Sequence, residues 1–268
     1  MLSPLTQRSS RVVSAVKLHR SAGRRKAGEF LAEGPNAVGA ALAAGRVTEL
    51  FHTADADAEL VAAARAARVP VVEITEAAAR ALGETVTPPG LVAVCRLLDV
   101  PPAQAAAGPL VVIPVAVADP GNAGTIVRIA DAVGAHGVVF AGDCVDPHNG
   151  KCVRASAGSV FHLPIARERD IDLALDAAAG TGLQLLATAA AGETDLDDAD
   201  ELLSAPSAWL FGNEAHGLPD TVIARADHRI RLPIRGRAES YNLAAAAAIC
   251  LYAAARAQAS KRAGTRQK

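Results

Sequence analysis

An uninterrupted apolar run, Leu110–Val117, constrains the fold of this chain more than any other segment. Its eight residues show no alternation with polar residues, which is typical of a parallel strand buried on both faces. Shorter apolar runs alternate with helical segments on both sides of it. This alternation predicts an α/β fold in which helices cover a parallel sheet.

Two domains are expected from the length of 268 residues and from a weakly structured stretch at about 100–109, which has prolines at both ends. The first, residues 1–105, is predicted to be a smaller α/β domain with a basic N-terminal segment. Its predicted elements are helices at about 36–45, 56–68 and 76–82 and strands at Val47–Thr53, Val69–Ile74 and Leu91–Leu98.

The second domain, residues 106–268, carries the longer parallel sheet. Its predicted strands are Leu110–Val117, Gly137–Ala141, Leu183–Thr188, Ala208–Phe211 and Arg229–Ile234, and its predicted helices are Thr125–Val133 and about 150–158, 170–180, 219–225 and 241–259. In an open parallel sheet, ligands bind outside the carboxyl ends of the strands. The loops after these strands are therefore the candidate site.

The net charge of −1 hides two basic ends. Residues 256–268 carry five Lys/Arg and no acid, and residues 1–30 carry seven against the single acid Glu29. Basic side chains placed on phosphates release counterions, so a polyanion such as RNA is an expected partner, with a solubilising tail as the alternative. The candidate RNA-binding residues are Arg8, Arg11, Lys17, Arg20, Arg24, Arg25 and Lys26.

The four cysteines form no Cys-x-x-Cys pair and are expected to be small buried apolar residues. Cys144, Asp146, His148 and Cys152 lie close in sequence, but their spacing departs from that of zinc sites, so no metal is expected.

No membrane span is expected either. The apolar run Leu243–Ala255 has about thirteen residues, fewer than the roughly 20 that a spanning helix needs. The N-terminus is polar and basic without an apolar signal core, which predicts a cytoplasmic protein.

Three loops after strands carry the candidate chemistry. The first is Asp119-Pro-Gly-Asn-Ala-Gly124, whose glycines permit a tight turn and close approach of a ligand. Asn122 can cap the next helix, and Arg128, about 1.7 turns further along, has a guanidinium suited to a phosphate. A capped helix with a surface arginine is the alternative interpretation.

The second loop is Gly212-Asn-Glu-Ala-His-Gly-Leu218, which holds an amide, a carboxylate and an imidazole within four positions. Such groups can hold a substrate or move a proton, although a polar turn has the same composition. The third loop is Leu232-Pro-Ile-Arg-Gly-Arg-Ala-Glu-Ser-Tyr-Asn-Leu243. Ser240 stands there at the expected N-cap of the last helix, and Arg235 and Arg237 flank a glycine.

In this order, the loops resemble the three signature motifs of the SpoU branch of the SPOUT methyltransferases. The motif Asn-x-Gly-x-x-x-Arg is matched by Asn122, Gly124 and Arg128, and Gly-x-Glu-x-x-Gly-hydrophobic by Gly212, Glu214, Gly217 and Leu218. The third motif, hydrophobic-Pro-x-x-Gly and then Ser-hydrophobic-Asn-hydrophobic, is matched by Leu232, Pro233, Gly236, Ser240, Tyr241, Asn242 and Leu243.

The match spans about 110–260 and includes Val153–Pro164, which resembles the family's connecting segment. Glu29–Gly34 resembles the start of its substrate-binding domain. The departures are Tyr241, where leucine is commoner, and the alanine run after Leu243. The resemblance implies an RNA ribose 2′-O-methyltransferase that uses S-adenosylmethionine, with ribosomal RNA favoured over transfer RNA. It also implies a deep trefoil knot and a homodimer, to which the apolar run Leu243–Ala255 would contribute.

The resemblance also implies roles for individual residues. The cofactor would be held by Thr188, Ala189, Gly212, Asn213, Gly217, Leu232, Pro233, Ile234, Tyr241 and Leu243. The catalytic cluster would be Asn122, Arg128, Glu214, Ser240 and Asn242. A guanidinium stays protonated in proteins and is therefore a poor base. We therefore expect Arg128 to bind the phosphate next to the reacting ribose and to stabilise the developing alkoxide.

Two other functions share parts of this pattern. A nicotinamide-dependent oxidoreductase would have the same strand-glycine-helix order, but the third glycine and the ribose-binding acid of that fold are missing. A non-catalytic RNA-binding protein would have the basic ends and would leave the three polar loops unexplained.

Overall fold

Helices and strands alternate along almost the whole chain, which confirms the predicted α/β class. The computed structural model describes residues 3–85 and 87–265, so Arg266 and Lys268 of the basic C-terminal end lie outside the described residues. The strands are β1 (Glu29–Glu33), β2 (Val47–His52), β3 (Val71–Glu73), β4 (Leu91–Arg96), β5 (Leu110–Pro114), β6 (Gly137–Ala141), β7 (Ile165–Glu168), β8 (Gln184–Thr188), β9 (Thr194–Asp195), β10 (Ser207–Phe211) and β11 (His228–Arg231). The helices are α1 (Ser10–Val16), α2 (Ser21–Ala27), α3 (Pro35–Ala43), α4 (Ala58–Ala66), α5 (Glu76–Leu82), α6 (Pro102–Ala105), α7 (Pro120–Ala132), α8 (Gly150–Ala155), α9 (Ile171–Ala179), α10 (Asp200–Leu203), α11 (Asp220–Arg225) and α12 (Leu243–Thr265).

The chain divides into two compact units. Unit 1 contains Met1–Leu97 together with Asp146–His162, and unit 2 contains Leu98–Val145 and Leu163–Lys268. The segment Asp146–His162, which includes α8, therefore packs with unit 1 although it stands between β6 and β7 in the sequence.

Unit 1 is built on a four-stranded sheet in the order β1-β4-β2-β3. Strand β4 is antiparallel to β1 and β2, whereas β2 and β3 are parallel. The basic N-terminal segment folds into α1 and α2, which the sequence analysis did not predict. Val12, Ala15 and Leu18 are buried against Leu31 and Phe51 of the sheet. Val12, Ala15 and Leu18 recur every three positions, which is typical of a helix, but the many basic residues around them make the pattern hard to recognise in the sequence.

A buried ion pair holds the inserted segment inside unit 1. Arg24 is only 3% exposed and donates two hydrogen bonds, of 2.9 and 2.7 Å, to Oδ2 of Asp146. It also donates to the carbonyl oxygens of Leu18 and His19. Burial opposes ionisation of Asp146, but His148 and Arg24 outweigh it and hold the pKa of this carboxyl well below its usual range. Removing either partner of such a pair leaves an uncompensated buried charge, which typically costs about 3–5 kcal/mol.

Unit 2 contains a seven-stranded sheet in the order β7-β6-β5-β10-β8-β11-β9. All of its strand pairs are parallel, as predicted. All five residues of β5 are buried, as expected for a strand covered on both faces. The core of this unit includes Val111, Ile113, Leu185 and Leu210.

The chain crosses itself at one edge of this sheet. Strands β8 and β9 both pair with β11 and lie on opposite sides of it, although only residues 189–193 connect them. That connection passes directly against the backbone of β11. A Cβ atom on Gly192 would lie 2.7 Å from the carbonyl oxygen of Arg229 and 2.8 Å from the nitrogen of Arg231. Only glycine fits at this crossing without displacing backbone.

Helix α12 is longer than the predicted 241–259. Its segment Leu243–Lys261 has a mean hydropathy of 1.2 and meets the length and composition of a membrane span, which the sequence analysis did not expect. The helix packs on α7 and α10, and 39% of the apolar window is buried. A core helix of a globular protein passes the same test, so this is weak support for a membrane span.

Candidate active site

The three predicted loops of unit 2 line one pocket at the carboxyl ends of β8, β10 and β11. The pocket has a volume of about 530 Å³. Nine of the ten predicted cofactor-binding residues line it, namely Thr188, Ala189, Gly212, Asn213, Gly217, Leu232, Ile234, Tyr241 and Leu243. The tenth, Pro233, is not a lining residue, but its carbonyl oxygen accepts a 3.1 Å hydrogen bond from the Tyr241 hydroxyl. Four further residues that line the pocket were not predicted from the sequence, namely Ala190, Ile230, Glu239 and Ala246.

A chain of side-chain hydrogen bonds joins the three loops. Asn122 of the first loop donates through Nδ2 to Oε1 of Glu214 in the second, at 3.1 Å. Asn242 of the third loop donates to Oδ1 of Asn122, at 3.2 Å. One amide of the first loop therefore bridges the other two, and these three predicted catalytic residues line the pocket together with Ser240.

Glu214 is held as a carboxylate. The backbone N–H groups of Ala118 and Asp119 donate to its two oxygens, at 3.2 Å each. Desolvation would raise the pKa of Glu214, but the hydrogen bonds from Asn122 and from the backbone outweigh it and lower the pKa below its ordinary value. A carboxylate engaged in this way serves to position the first loop and is a poor proton acceptor.

The second loop is a tight turn that requires glycine. Asn213 and Gly217 exchange backbone hydrogen bonds of 3.0 and 2.9 Å, and Nδ2 of Asn213 donates to the carbonyl oxygen of Ala116. A Cβ atom on Gly212 would lie 2.2 Å from the carbonyl carbon of Gly217. The backbone of the loop therefore folds back on itself, and Gly212 leaves room for it beside the pocket.

The start of α7 and the helix caps differ from the predicted ones. Helix α7 begins at Pro120, not Thr125, so most of the predicted first loop is the first turn of this helix. Oδ1 of Asp119, not Asn122, caps α7 by accepting from the Asn122 backbone N–H at 2.8 Å. Helix α12 begins at Leu243, and Oδ1 of Asn242 accepts from the first N–H groups, in the place expected for Ser240. Because Asp119 supplies the cap, the Asn122 side chain is free to bridge the loops.

Arg128 is exposed on α7 and does not line the pocket. Four other arginines of unit 2 are neutralised by carboxylates at 2.6–2.8 Å, in the pairs Arg229–Glu193, Arg231–Asp195, Arg235–Asp197 and Arg256–Asp200. Within the described residues, Arg128 has no such ion pair. Its charge is therefore available to an anionic ligand beside the site.

Two parts of the chain match the models of known protein families. Residues 109–252 match the model of the SpoU rRNA Methylase family, and residues 9–93 match that of an MRM3-like substrate binding domain. The chain belongs to the SpoU rRNA Methylase family. The first match contains all three loops of the pocket, which confirms the resemblance read from their motifs.

Relatives of this SpoU family member match it over nearly its whole length. It is 33% identical over 237 residues to the 23S rRNA (guanosine(2553)-2′-O)-methyltransferase RlmP of Bacillus subtilis (strain 168), which covers 88% of this chain and 92% of the relative. The AdoMet-bound rRNA methyltransferase from Sinorhizobium meliloti has a TM-score of 0.84 and 32% identity, covering 95% of this chain and 97% of that chain. The SpoU methyltransferase AviRb from Streptomyces viridochromogenes also has a TM-score of 0.84, with 30% identity, covering 94% of this chain and 99% of that chain.

The basic residues predicted to bind RNA fall into three groups. Arg8, Lys17, Arg20, Arg25 and Lys26 are exposed on unit 1. Arg11 forms an ion pair with Glu49. The structure separates Arg24 from the set, because its guanidinium is buried and already bound by Asp146. Five of the seven predicted positions thus present charge to solvent.

The cysteines of this SpoU family member are mostly buried, as predicted. Cys95, Cys152 and Cys250 are buried, and burial raises the pKa of the partly buried Cys144 to about 11. In the described part of the chain, no group of three or more His, Cys, Asp or Glu is arranged to hold a metal ion.

Proposed function

We propose that this chain transfers a methyl group from S-adenosylmethionine to a ribose 2′-hydroxyl of RNA, with ribosomal RNA favoured over transfer RNA, in the cytoplasm. The observation that carries the proposal is the hydrogen-bond chain Glu214–Asn122–Asn242, which assembles the three motif loops around one pocket. The relative RlmP, a 2′-O-methyltransferase of 23S rRNA, supports the same reaction.

The pocket suits the cofactor. Its volume of about 530 Å³ lies in the range of small-molecule sites, and Leu232, Ile234 and Leu243 give it apolar walls. Thr188 and Asn213 add polar groups that can orient the ligand. The cofactor would supply an electrophilic methyl group on a sulfonium. Because methyl transfer needs in-line approach of the hydroxyl, the task of the loops is to fix the two reactants in that geometry.

We assign the catalytic cluster as Asn122, Arg128, Glu214, Ser240 and Asn242. Arg128 binds the phosphate beside the reacting ribose, and its positive charge stabilises the oxygen that becomes more negative in the transition state. Glu214 and Asn242 hold Asn122 in place, while Ser240 lies at the rim of the pocket. The ribose hydroxyl restricts the substrate to RNA.

Calorimetry tests the cofactor assignment. S-adenosylmethionine or its demethylated product should bind to the full chain without added metal, and NAD should not bind, because the pocket follows the SpoU motifs and lacks the dinucleotide fingerprint. Radiolabelled methyl transfer to fractionated total RNA then identifies the substrate class. Binding of NAD with no response to the methyl donor would reject the proposal.

We propose that unit 1 attracts the RNA through Arg8, Lys17, Arg20, Arg25 and Lys26. Deleting this segment would remove the buried residues of α1, so charge neutralisation is the cleaner test. Changing all five residues to Gln should weaken RNA binding and flatten its salt dependence, by about 0.7–0.9 in logarithmic slope for each phosphate that the protein no longer neutralises. A salt titration of binding measures the slope. Arg65→Gln with Arg80→Gln, elsewhere on unit 1, is the control, and an unchanged slope in the five-residue variant would contradict the assignment.

We propose that the protein is a homodimer through an apolar groove between α7 and α12. The groove has a volume of about 880 Å³, and its exposed residues include Ile249 and Tyr252, which are 41% and 68% exposed. A charge placed in a self-associating apolar surface opposes burial. Ile249→Asp with Tyr252→Asp should therefore halve the mass measured by light scattering. Val13→Asp, at an exposed apolar residue of unit 1, should leave the mass unchanged. A wild-type monomer with full activity would refute the dimer.

We also infer that unit 2 is knotted. Strand β11 lies between β8 and β9 in the sheet. The chain that leaves β8 at residue 189 passes through β9 and returns to pair with β8 as β10, so it forms a loop next to β11. The third loop and α12 continue from β11. Threading of this C-terminal segment through the closed loop accounts for the crossing at Gly192 and places the third motif against the pocket.

A further inference from the structure

A second pocket, in unit 1, shares no lining residue with the methyl-transfer site of unit 2 and has no role in the reaction described above. It has a volume of about 480 Å³ and lies where α1 covers the first residues of β1 and β2. Ala15, Leu18 and Val94 are buried residues of its wall. Its polar residues come from α1 and from the two strands, namely Ser10, Arg11, Ser14, Glu29, Thr48 and Glu49.

The charged groups of this pocket are one guanidinium and two carboxylates. Arg11 forms an ion pair with Glu49, whose side chain is 19% exposed. The Thr48 hydroxyl donates to Oε1 of Glu29 at 2.9 Å. Apart from its ion pair, Oε1 of Glu49 is enclosed and accepts no well-aligned hydrogen bond within the described part of the chain. Burial raises the pKa of Glu49, more than Arg11 lowers it, which is the expected state of a carboxylate short of hydrogen-bond donors.

A carboxylate repels phosphate, so carboxylates within an RNA-binding surface are expected to contact another part of the RNA. The same N-terminal segment carries the exposed Lys17, Arg20, Arg25 and Lys26. In RNA-binding proteins, acceptor side chains beside a basic surface contact the donor groups of base edges, and unpaired bases are read on their Watson–Crick edges. The pocket therefore suits a base whose edge is rich in donors.

Guanine fits this pattern better than the other three bases. Its Watson–Crick edge presents the O6 acceptor, then N1–H, then the N2 amino group. Oε1 of Glu49 is enclosed beside Arg11, so Oε2 is the oxygen that can accept from N1–H and N2–H, while Arg11 can donate to O6. The hydroxyls of Ser10 and Ser14 can act as donors or acceptors for the remaining groups. We propose that this pocket binds the Watson–Crick edge of an unpaired guanine of the RNA substrate. The proposal rests on the proposed function in that it requires an RNA substrate.

Binding of short oligoribonucleotides to the full chain tests this site. The probes are oligouridines that carry one central guanosine, inosine or uridine, since inosine lacks only the N2 amino group of guanosine. A base contact made through two or more hydrogen bonds discriminates by about 1–3 kcal/mol, so the guanosine probe should bind about tenfold more tightly than the uridine probe. The inosine probe should fall between them. Equal affinity for the three probes overturns the proposal.

Two variants locate the contact. Glu49→Gln should bind the three probes with equal affinity, whereas Glu59→Gln, at an exposed glutamate of α4, should keep the preference for guanosine. Arg11→Ala, at a half-exposed side chain that tolerates truncation, should reduce the preference as well. Thermal melting verifies that each variant folds. A preference for guanosine that persists in Glu49→Gln overturns the proposal.

Two further measurements distinguish a guanine of RNA from a free nucleotide, and failure of this proposal from failure of the proposed function. GMP that binds the pocket while the three oligonucleotides bind equally would assign it to a free nucleotide and overturn the RNA assignment. A guanosine preference in a protein that binds no S-adenosylmethionine would instead reject the proposed function and leave this pocket standing.

Discussion

Arg128→Ala should lower the single-turnover rate of methyl transfer by on the order of 10²-fold or more at saturating RNA and S-adenosylmethionine. Arg128 is exposed on α7 beside the first motif loop, and within the described residues it has no ion pair with a carboxylate. In the proposed mechanism its charge acts on the substrate, where the reacting oxygen becomes more negative in the transition state. Calorimetry should show nearly unchanged cofactor binding, and RNA affinity should fall only modestly.

Two variants serve as controls for this result. Arg225→Ala removes another arginine of unit 2 whose guanidinium is already engaged by Asp172 and Asp176, so the rate should not change. Arg128→Lys keeps a point charge but loses the planar fork, and its rate should lie between those of the wild type and Arg128→Ala. If Arg128→Ala keeps its rate within about threefold of the wild type, the catalytic assignment is wrong.

Gly192→Ala should destabilise unit 2 by about 3 kcal/mol or more, which corresponds to a fall in melting temperature on the order of 10 °C. The added Cβ atom would meet three backbone atoms of β11 at 2.7–2.9 Å. These atoms belong to a strand that is hydrogen-bonded to neighbours on both sides, so they cannot move aside without breaking the sheet. Cofactor binding should weaken in parallel because Ala189 and Ala190 of the same connection line the pocket.

Gly39→Ala is the matched substitution for this experiment. Gly39 lies inside α3, where an added Cβ atom would make an ordinary 3.5 Å contact with Leu60. Alanine is a better helix former by about 0.5–1 kcal/mol, so this variant should melt at the same or a slightly higher temperature. Differential scanning calorimetry compares the two. If Gly192→Ala melts at the same temperature as the wild type, a Cβ atom can be accommodated at the crossing and the steric argument is wrong.

Much of the fold could be predicted because burial leaves a pattern in the sequence. Strand β6 has the predicted bounds, and β5 was evident from its continuous apolar run. Helix α1 was missed because only Val12 and Ala15 mark its buried face, and α2 was missed because its buried residue is the charged Arg24. Strand β9 has two residues and was missed because so short a strand carries no periodicity.

The site was predictable where chemistry restricts the residue type. Close backbone approach requires glycine at position 212, and the hydrogen-bond chain requires Asn122, Glu214 and Asn242. The spacing of these residues was visible in the motifs. The caps of α7 and α12 were assigned to the wrong residues because Asp, Asn and Ser are nearly equivalent as caps. The burial of Arg24 could not be foreseen, since its partner Asp146 stands 122 residues away in sequence.

The separation of 122 residues between Arg24 and Asp146 affects how unit 1 can fold during synthesis. Unit 1 includes Asp146–His162, so a ribosome must translate β5 and β6 before the last piece of the N-terminal unit exists. Until then Arg24 lacks the carboxylate that compensates its buried charge. Domains usually fold in order of synthesis, but here the first unit has to wait for the second to begin. A gene fragment that ends at the apparent domain boundary would encode an incomplete unit.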